Sequence, residues 1–152
     1  MPNWCSNNVE ITHNDPAAVQ AVVEAFNRGD LCETFLPIKH IAITGQHDAA
    51  INKWGTKWDV GGEDCADRVT LALEGKGVCL SFESAWTPPV GLYNKLVELG
   101  YSVKATYFEP GVGFVGEYED GLDQWYEFDY DNLDQVVPPH LVDEYNIHDC
   151  YE

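Results

Sequence analysis

Polar and apolar residues alternate along Val9-Glu10-Ile11-Thr12, a period of two that predicts a first strand. The period then changes. Val19, Val22, Val23 and Phe26 recur at i, i+3, i+4 and i+7, one apolar stripe on a helix that Asn14 or Asp15 caps, Pro16 opens and Gly29 ends. Alternation returns in Val69-Thr70-Leu71-Ala72-Leu73 and Val78-Cys79-Leu80-Ser81-Phe82; the Gly75-Lys76-Gly77 turn between them predicts a β-hairpin. Thr87-Pro88-Pro89 opens a second helix, with Val90, Tyr93, Leu96 and Val97 inward and Gly100 at its end. Residues 101–108 alternate again, and Glu109-Pro110-Gly111 makes a turn. Two more strands are expected at 113–119 and 124–131 around an Asp120-Gly121 turn, and Pro138-Pro139 begins a short tail.

The order β-α-(insert)-β-β-α-β predicts an α+β fold: the ferredoxin-like split βαβ antiparallel sheet, extended by a C-terminal hairpin. The 152 residues suit a single domain. Its core is expected at about 8–108, with an insert at 31–67 and an acidic hairpin and tail at 110–152. The insert contains Trp54-Gly55-Thr56-Lys57-Trp58-Asp59 and reads as a loop whose two indole rings pin it to the core.

Charge singles out the C-terminal end. The chain carries 26 Asp and Glu against 8 Lys and Arg, a net charge of -18. From Pro110 to Glu152 there are twelve carboxylates and no lysine or arginine. A folded domain gains no stability from such self-repulsion. Trp125, Tyr126, Phe128, Tyr130 and Leu133 run through the same segment, so it is expected to fold rather than trail as a disordered acidic tail. Lysine outnumbers arginine and the acids are clustered, which sets the chain apart from one made acidic throughout for life in salt.

Two-residue periodicity sorts the hairpin's side chains. Tyr126, Phe128 and Tyr130 share one side of the last strand, opposite Trp125, Glu127, Asp129 and Asp131; Phe114, Gly116 and Tyr118 lie opposite Val115, Glu117 and Glu119. The expectation is one aromatic face over the core and one carboxylate face toward solvent, with like charges opposed across the strands at some cost in stability. Glu117, Glu119, Asp120, Asp123, Glu127, Asp129 and Asp131 are the candidate partner-contact residues. A rigid array of this kind imitates a nucleic-acid backbone and would engage lysines and arginines through charge-assisted hydrogen bonds. A solvated acidic face without a ligand is the plainer alternative. Asp129-x-Asp131-x-x-Asp134 resembles part of a calcium loop but lacks its Gly and closing Glu.

Catalytic motifs are not evident. The chain holds no GxSxG, P-loop, GxGxxG or HExxH. His140, His148 and Cys150 fit no common zinc spacing, and His13, His40 and His47 are isolated. The five cysteines are scattered without a CxxC pair, as expected of reduced thiols, and Cys5 beside Trp4 reads as a small buried hydrophobe. No basic stretch followed by an apolar run marks a secretory signal, and no apolar run is of bilayer length, so a cytoplasmic location is expected. A pI near 4.3 and a missing RNP pattern argue against direct nucleic-acid binding. No cofactor, metal or membrane partner is expected, and no enzymatic activity.

Four motifs carry a family resemblance: Met1-Pro2-Asn3-Trp4-Cys5-x-Asn7, Trp54-Gly55-Thr56-Lys57-Trp58-Asp59, Ala85-Trp86-Thr87-Pro88-Pro89, and Tyr107-x-Glu109-Pro110-Gly111-x-x-Phe114-x-Gly116. Over residues 1 to about 120 the chain resembles the YubB-like proteins of plasmids and bacteriophages, a family with a ferredoxin-like domain and unassigned activity. The resemblance implies an accessory gene of a mobile element in a bacterial host, and it supplies no catalytic residue. Such elements face restriction and CRISPR systems, so the expected role is a counter-defence inhibitor that mimics DNA and blocks the basic groove of such a complex. The alternatives are a phage assembly protein docking a basic partner, or a divalent-cation-dependent enzyme using the same carboxylates.

Overall fold

The computed structural model describes residues 3–38, 46–62 and 68–151. In chain order the elements are β1 (Trp4–Thr12), α1 (Pro16–Arg28), α2 (Leu31–Phe35), α3 (Gln46–Lys53), β2 (Arg68–Ala72), β3 (Gly77–Ala85), α4 (Val90–Glu98), β4 (Ser102–Glu109), β5 (Phe114–Glu119), β6 (Leu122–Glu127), α5 (Leu133–Val136), α6 (Pro139–Glu144) and α7 (Ile147–Cys150). The six strands form one sheet in the order β2-β3-β1-β4-β5-β6, and every neighbouring pair is antiparallel. The fold is α+β, and its first four strands take the ferredoxin-like order. The hairpin β5–β6 continues the same sheet.

Side chains at alternate strand positions divide the sheet into two faces. Val9 and Ile11 of β1, Val78, Leu80 and Phe82 of β3, and Val103 and Ala105 of β4 are buried beneath α1 and α4. The stripe Val19, Val22, Val23 and Phe26 meets them, and Leu92, Tyr93 and Leu96 contribute from α4. Asp15 caps α1 by accepting from the Ala17 N–H at 2.9 Å, and Gly29 closes it in the left-handed region at φ 82.

A second, smaller core lies on the opposite face. Phe108 and Val115 point away from α1 and α4 and are covered by Phe128, Leu133, Val137, Leu141, Val142 and Ile147. The chain therefore leaves the sheet after Glu127, earlier than the 124–131 strand expected, because Phe128 turns into this cluster and donates its backbone N–H to Gly113. The expected tail after Pro138-Pro139 is likewise two short helices, whose apolar residues close the second core.

The insert is only partly described. Trp54 is buried and donates Nε1–H to the Leu36 carbonyl at 2.7 Å, as a pinning ring should. Trp58 differs: it is partly exposed and packs on Trp4 with ring centroids 5.9 Å apart. Asp59 caps α2 by accepting from the Cys32 and Glu33 N–H groups, and burial still holds its carboxyl above the ordinary range. His40, Cys65 and the side chain of His47 lie outside the described residues. Burial drives the Cys5 and Cys32 thiols far up, with Glu109 and Asp59 respectively adding to it, so both stay protonated.

One polar group sits in the main core by design of its neighbours. Asn7, 1% exposed, donates to Ser84 Oγ at 2.9 Å and to the Cys5 carbonyl at 3.0 Å, and it accepts from the Tyr93 hydroxyl at 2.9 Å. Ser84 in turn donates to the Thr87 carbonyl at 2.7 Å. The network joins β1, β3 and α4, and no described buried side-chain polar atom lacks a partner. Asn7→Ala would strand both the Tyr93 hydroxyl and Ser84. It is expected to remove about 2–4 kcal/mol of unfolding free energy in urea denaturation, where a merely peripheral contact would give under about 0.5 kcal/mol.

Candidate functional site: an acidic ridge at the sheet edge

Register decides where the acidic side chains go. Asp120 and Gly121, both at positive φ (46° and 107°), form a two-residue turn that pairs Glu119 with Leu122. Counting back, Glu117 faces Gln124, Gly116 faces Trp125 and Phe114 faces Glu127. Directly paired residues share a face. Glu117 and Glu119 thus stand on the face of the second core, whereas Asp123 and Glu127 stand on the face of α4, beside Tyr118 and Phe114.

This corrects the expected division into one aromatic and one carboxylate face. The acids flank the hairpin on both sides, and so do the rings: Phe114, Tyr118 and Trp125 on one face, Tyr126 on the other. No β5–β6 pair sets a carboxylate opposite a carboxylate, so the expected direct repulsion across the strands is absent there. Asp129 and Asp131 lie beyond the strand, in a turn where Asp129 accepts from the Asn132 N–H at 3.1 Å. Tyr130 is exposed and covers no core.

Several of the candidate carboxylates have structural work. Asp120 accepts from the Val103 N–H at 2.7 Å and from the Ser102 hydroxyl, holding the β5–β6 turn against β4. Asp123 accepts from the Tyr107 hydroxyl at 2.5 Å. Glu117 meets His140 Nε2 at 2.8 Å, and Asp134 meets His148 Nε2 at 2.8 Å, each tying a C-terminal helix to its surroundings. Glu144 accepts from the Thr106 hydroxyl. Glu119 lies 3.7 Å from Lys104, both well exposed. Among the described residues it is the one carboxylate beyond Pro110 within ion-pair distance of a lysine or arginine.

The sheet's second face is concave beside these helices. A groove of about 590 Å³ runs between Glu144 and the free part of the sheet. Across its floor the register lines up Glu10, Lys104 and Glu119, so its single lysine sits between two acids. Sequence reasoning did not find this groove, because its residues come from β1, β3, β4 and β5 and only the strand order brings them together. Nowhere among the described residues do three His, Cys, Asp or Glu side chains gather in a way that would hold a metal ion, so Asp129, Asp131 and Asp134 do not form the loop their spacing resembles.

Comparisons with known proteins speak to the fold. No family model matches the chain, and no curated protein matches it. Among solved structures it is similar to protein api92 from Yersinia pseudotuberculosis, described by the family model DUF1281. The two are 11% identical, the match covers 85% of this chain and 99% of that one, and the TM-score is 0.56. At that identity the likeness is one of fold. No described helix is long and apolar enough to cross a membrane.

Asp123 is half-buried. Burial raises its carboxyl above the ordinary range, and the Tyr107 hydroxyl only partly offsets this. A carboxyl raised in the fold is harder to ionise there than in the unfolded chain. Asp123 therefore detracts from stability at neutral pH, and the deficit vanishes as pH falls through its folded value. Asp123→Asn is expected to melt at or above the parent's temperature near about pH 7, with the difference closing toward about pH 4. A variant that melts lower at neutral pH would show that the Tyr107 bond to the ionised form dominates.

Proposed function

We propose that this chain is a non-enzymatic accessory protein of a phage or plasmid, acting in the host cytoplasm. Its acidic C-terminal ridge docks into the basic, nucleic-acid-binding groove of a bacterial defence complex, of the CRISPR or restriction kind. The observation that carries this reading is the arrangement of β5 and β6: carboxylates on both flanks of a free sheet edge, with Lys104 alone among the described lysines and arginines within ion-pair distance of them. A groove that clasps a duplex closes around a convex body charged on both sides, and a two-flanked edge suits that shape better than a flat acidic plate. The resemblance to YubB-like proteins supplies the mobile-element context.

The physics of such docking is long-range and salt-sensitive. Lysines and arginines that contact phosphates would contact Glu117, Glu119, Glu127 and Asp131 instead, with fast association that weakens as salt is added. Asp120 and Asp129 add field while they hold turns of the same ridge, and Asp123 adds field from its place beside Tyr107. A free edge also suits an assembly partner that adds a strand to β6, and competition separates the two cases.

The test is a pull-down from a bacterial host lysate with elution by salt, followed by direct binding to the recovered complex. A nucleic-acid-binding complex that duplex DNA displaces is the expected result. Glu127→Lys combined with Asp131→Lys, both exposed and without a side-chain partner among the described residues, should then weaken binding by about 100-fold or more while the melting temperature holds. Unchanged affinity in the double reversal would overturn the reading, and DNA-insensitive capture of structural proteins would favour assembly.

A further inference from the structure

On the α4 face of the hairpin lies a pocket of about 300 Å³ with a different chemistry from the ridge around it. Its floor follows from a glycine. Tyr107, Gly116 and Trp125 are consecutive in the register across β4, β5 and β6. A Cβ on Gly116 would lie 2.5 Å from the Tyr107 ring, so it is the bare backbone there that lets this ring lie across β5 and reach Asp123. Phe114 meets the Tyr107 ring edge-on at 6.2 Å. Pro88 and Val90, at the start of α4, form the apolar rim, and Trp125 is 59% exposed at the mouth.

Two carboxylates enter this aromatic surround. Asp123 is engaged through one oxygen by Tyr107, and Glu127 makes no hydrogen bond or ion pair among the described residues. An anion is disfavoured despite the nearby start of α4, since the Val90 and Gly91 N–H groups are already given to the Pro88 and Trp54 carbonyls. Neutral apolar ligands would leave Glu127 facing them without compensation. Ring faces beside carboxylates that have no cation partner among the described residues instead favour a cation with an apolar stem.

We infer that this pocket receives one arginine side chain of a partner protein. The stem would lie against Pro88 and Val90, the guanidinium plane over Trp125, and the forked N–H donors on Glu127. Arginine fits better than lysine because its flat, weakly hydrated head stacks on an indole and pairs with a carboxylate at the same time. Asp123 adds negative field from the far end. The inference rests on the reading that the partner is basic, and it names the anchor within that contact.

The test needs no partner. The full chain, labelled with nitrogen-15, is titrated with N-acetyl-arginine amide, and in parallel with its uncharged isostere N-acetyl-citrulline amide and with N-acetyl-lysine amide. Saturable shifts confined to the Trp125 indole and the β6 amides are expected with arginine, weaker ones with lysine and none with citrulline. Glu127→Gln should weaken the arginine response by about tenfold, and Trp125→Ala should abolish it. Citrulline acting as well as arginine, or an arginine response that survives in both variants, would overturn the inference. Loss of partner binding in the double lysine reversal without any arginine response would leave the docking reading standing and remove this anchor alone.

Discussion

The side-chain amide of Asn7 is the constraint from which the rest of the molecule follows. It lies in the middle of β1, which is flanked on either side by β3 and β4. Its three hydrogen bonds are made only when β1 presents Asn7 to Tyr93 and Ser84. A slip of one residue would turn Asn7 toward the other face and leave buried polar groups unmatched. With β1 locked, β4 is locked against it, then β5 against β4 and β6 against β5. The face on which each C-terminal carboxylate stands is the end of that chain of registers.

The same chain of registers explains how an edge so acidic is tolerated. Within the hairpin each carboxylate is set opposite a neutral residue, and the local partners Tyr107, His140 and the Val103 N–H absorb several of them. What remains is a diffuse negative field rather than a set of tight repulsive contacts. Diffuse fields steer partners from a distance and weaken with salt. They also discourage the free edge of β6 from pairing with other copies, a benefit that any charged edge strand confers.

Much of the fold was legible because its elements are strongly periodic. The α1 stripe, the β2–β3 hairpin and the helix opened by Pro88-Pro89 appear where alternation and the three-to-four spacing place them. Of the motif residues, Trp54 pins the insert, Pro88 and Pro89 lead into α4, and Asn7 centres the buried network. The hairpin's faces were misjudged for a definite reason. With a two-residue turn at Asp120-Gly121, odd positions of one strand pair with even positions of the other, so Glu117 and Glu127 are necessarily on opposite sides. The turn was recognised in the sequence, and its parity carried that answer. The second core was a harder case: Leu133, Val137, Leu141, Val142 and Ile147 are spread over three helical segments too short to show a period. The aromatic pocket depends on Tyr107 crossing over Gly116, a contact between strands that no local pattern announces.

Exposed carboxylates of the C-terminal segment that have no local partner repel one another and add nothing to the stability of the fold. The side chains of Glu127, Asp131 and Asp143 are exposed and make no described hydrogen bond or ion pair, so they test that claim without disturbing a turn or a helix. The decisive measurement is the urea unfolding midpoint of the triple variant Glu127→Gln, Asp131→Asn, Asp143→Asn at low and at high salt. Self-repulsion among these carboxylates predicts a midpoint at or above that of the parent at low salt, with the difference shrinking as salt screens it. A lower midpoint at low salt would contradict it, since the carboxylates would then be holding the fold together.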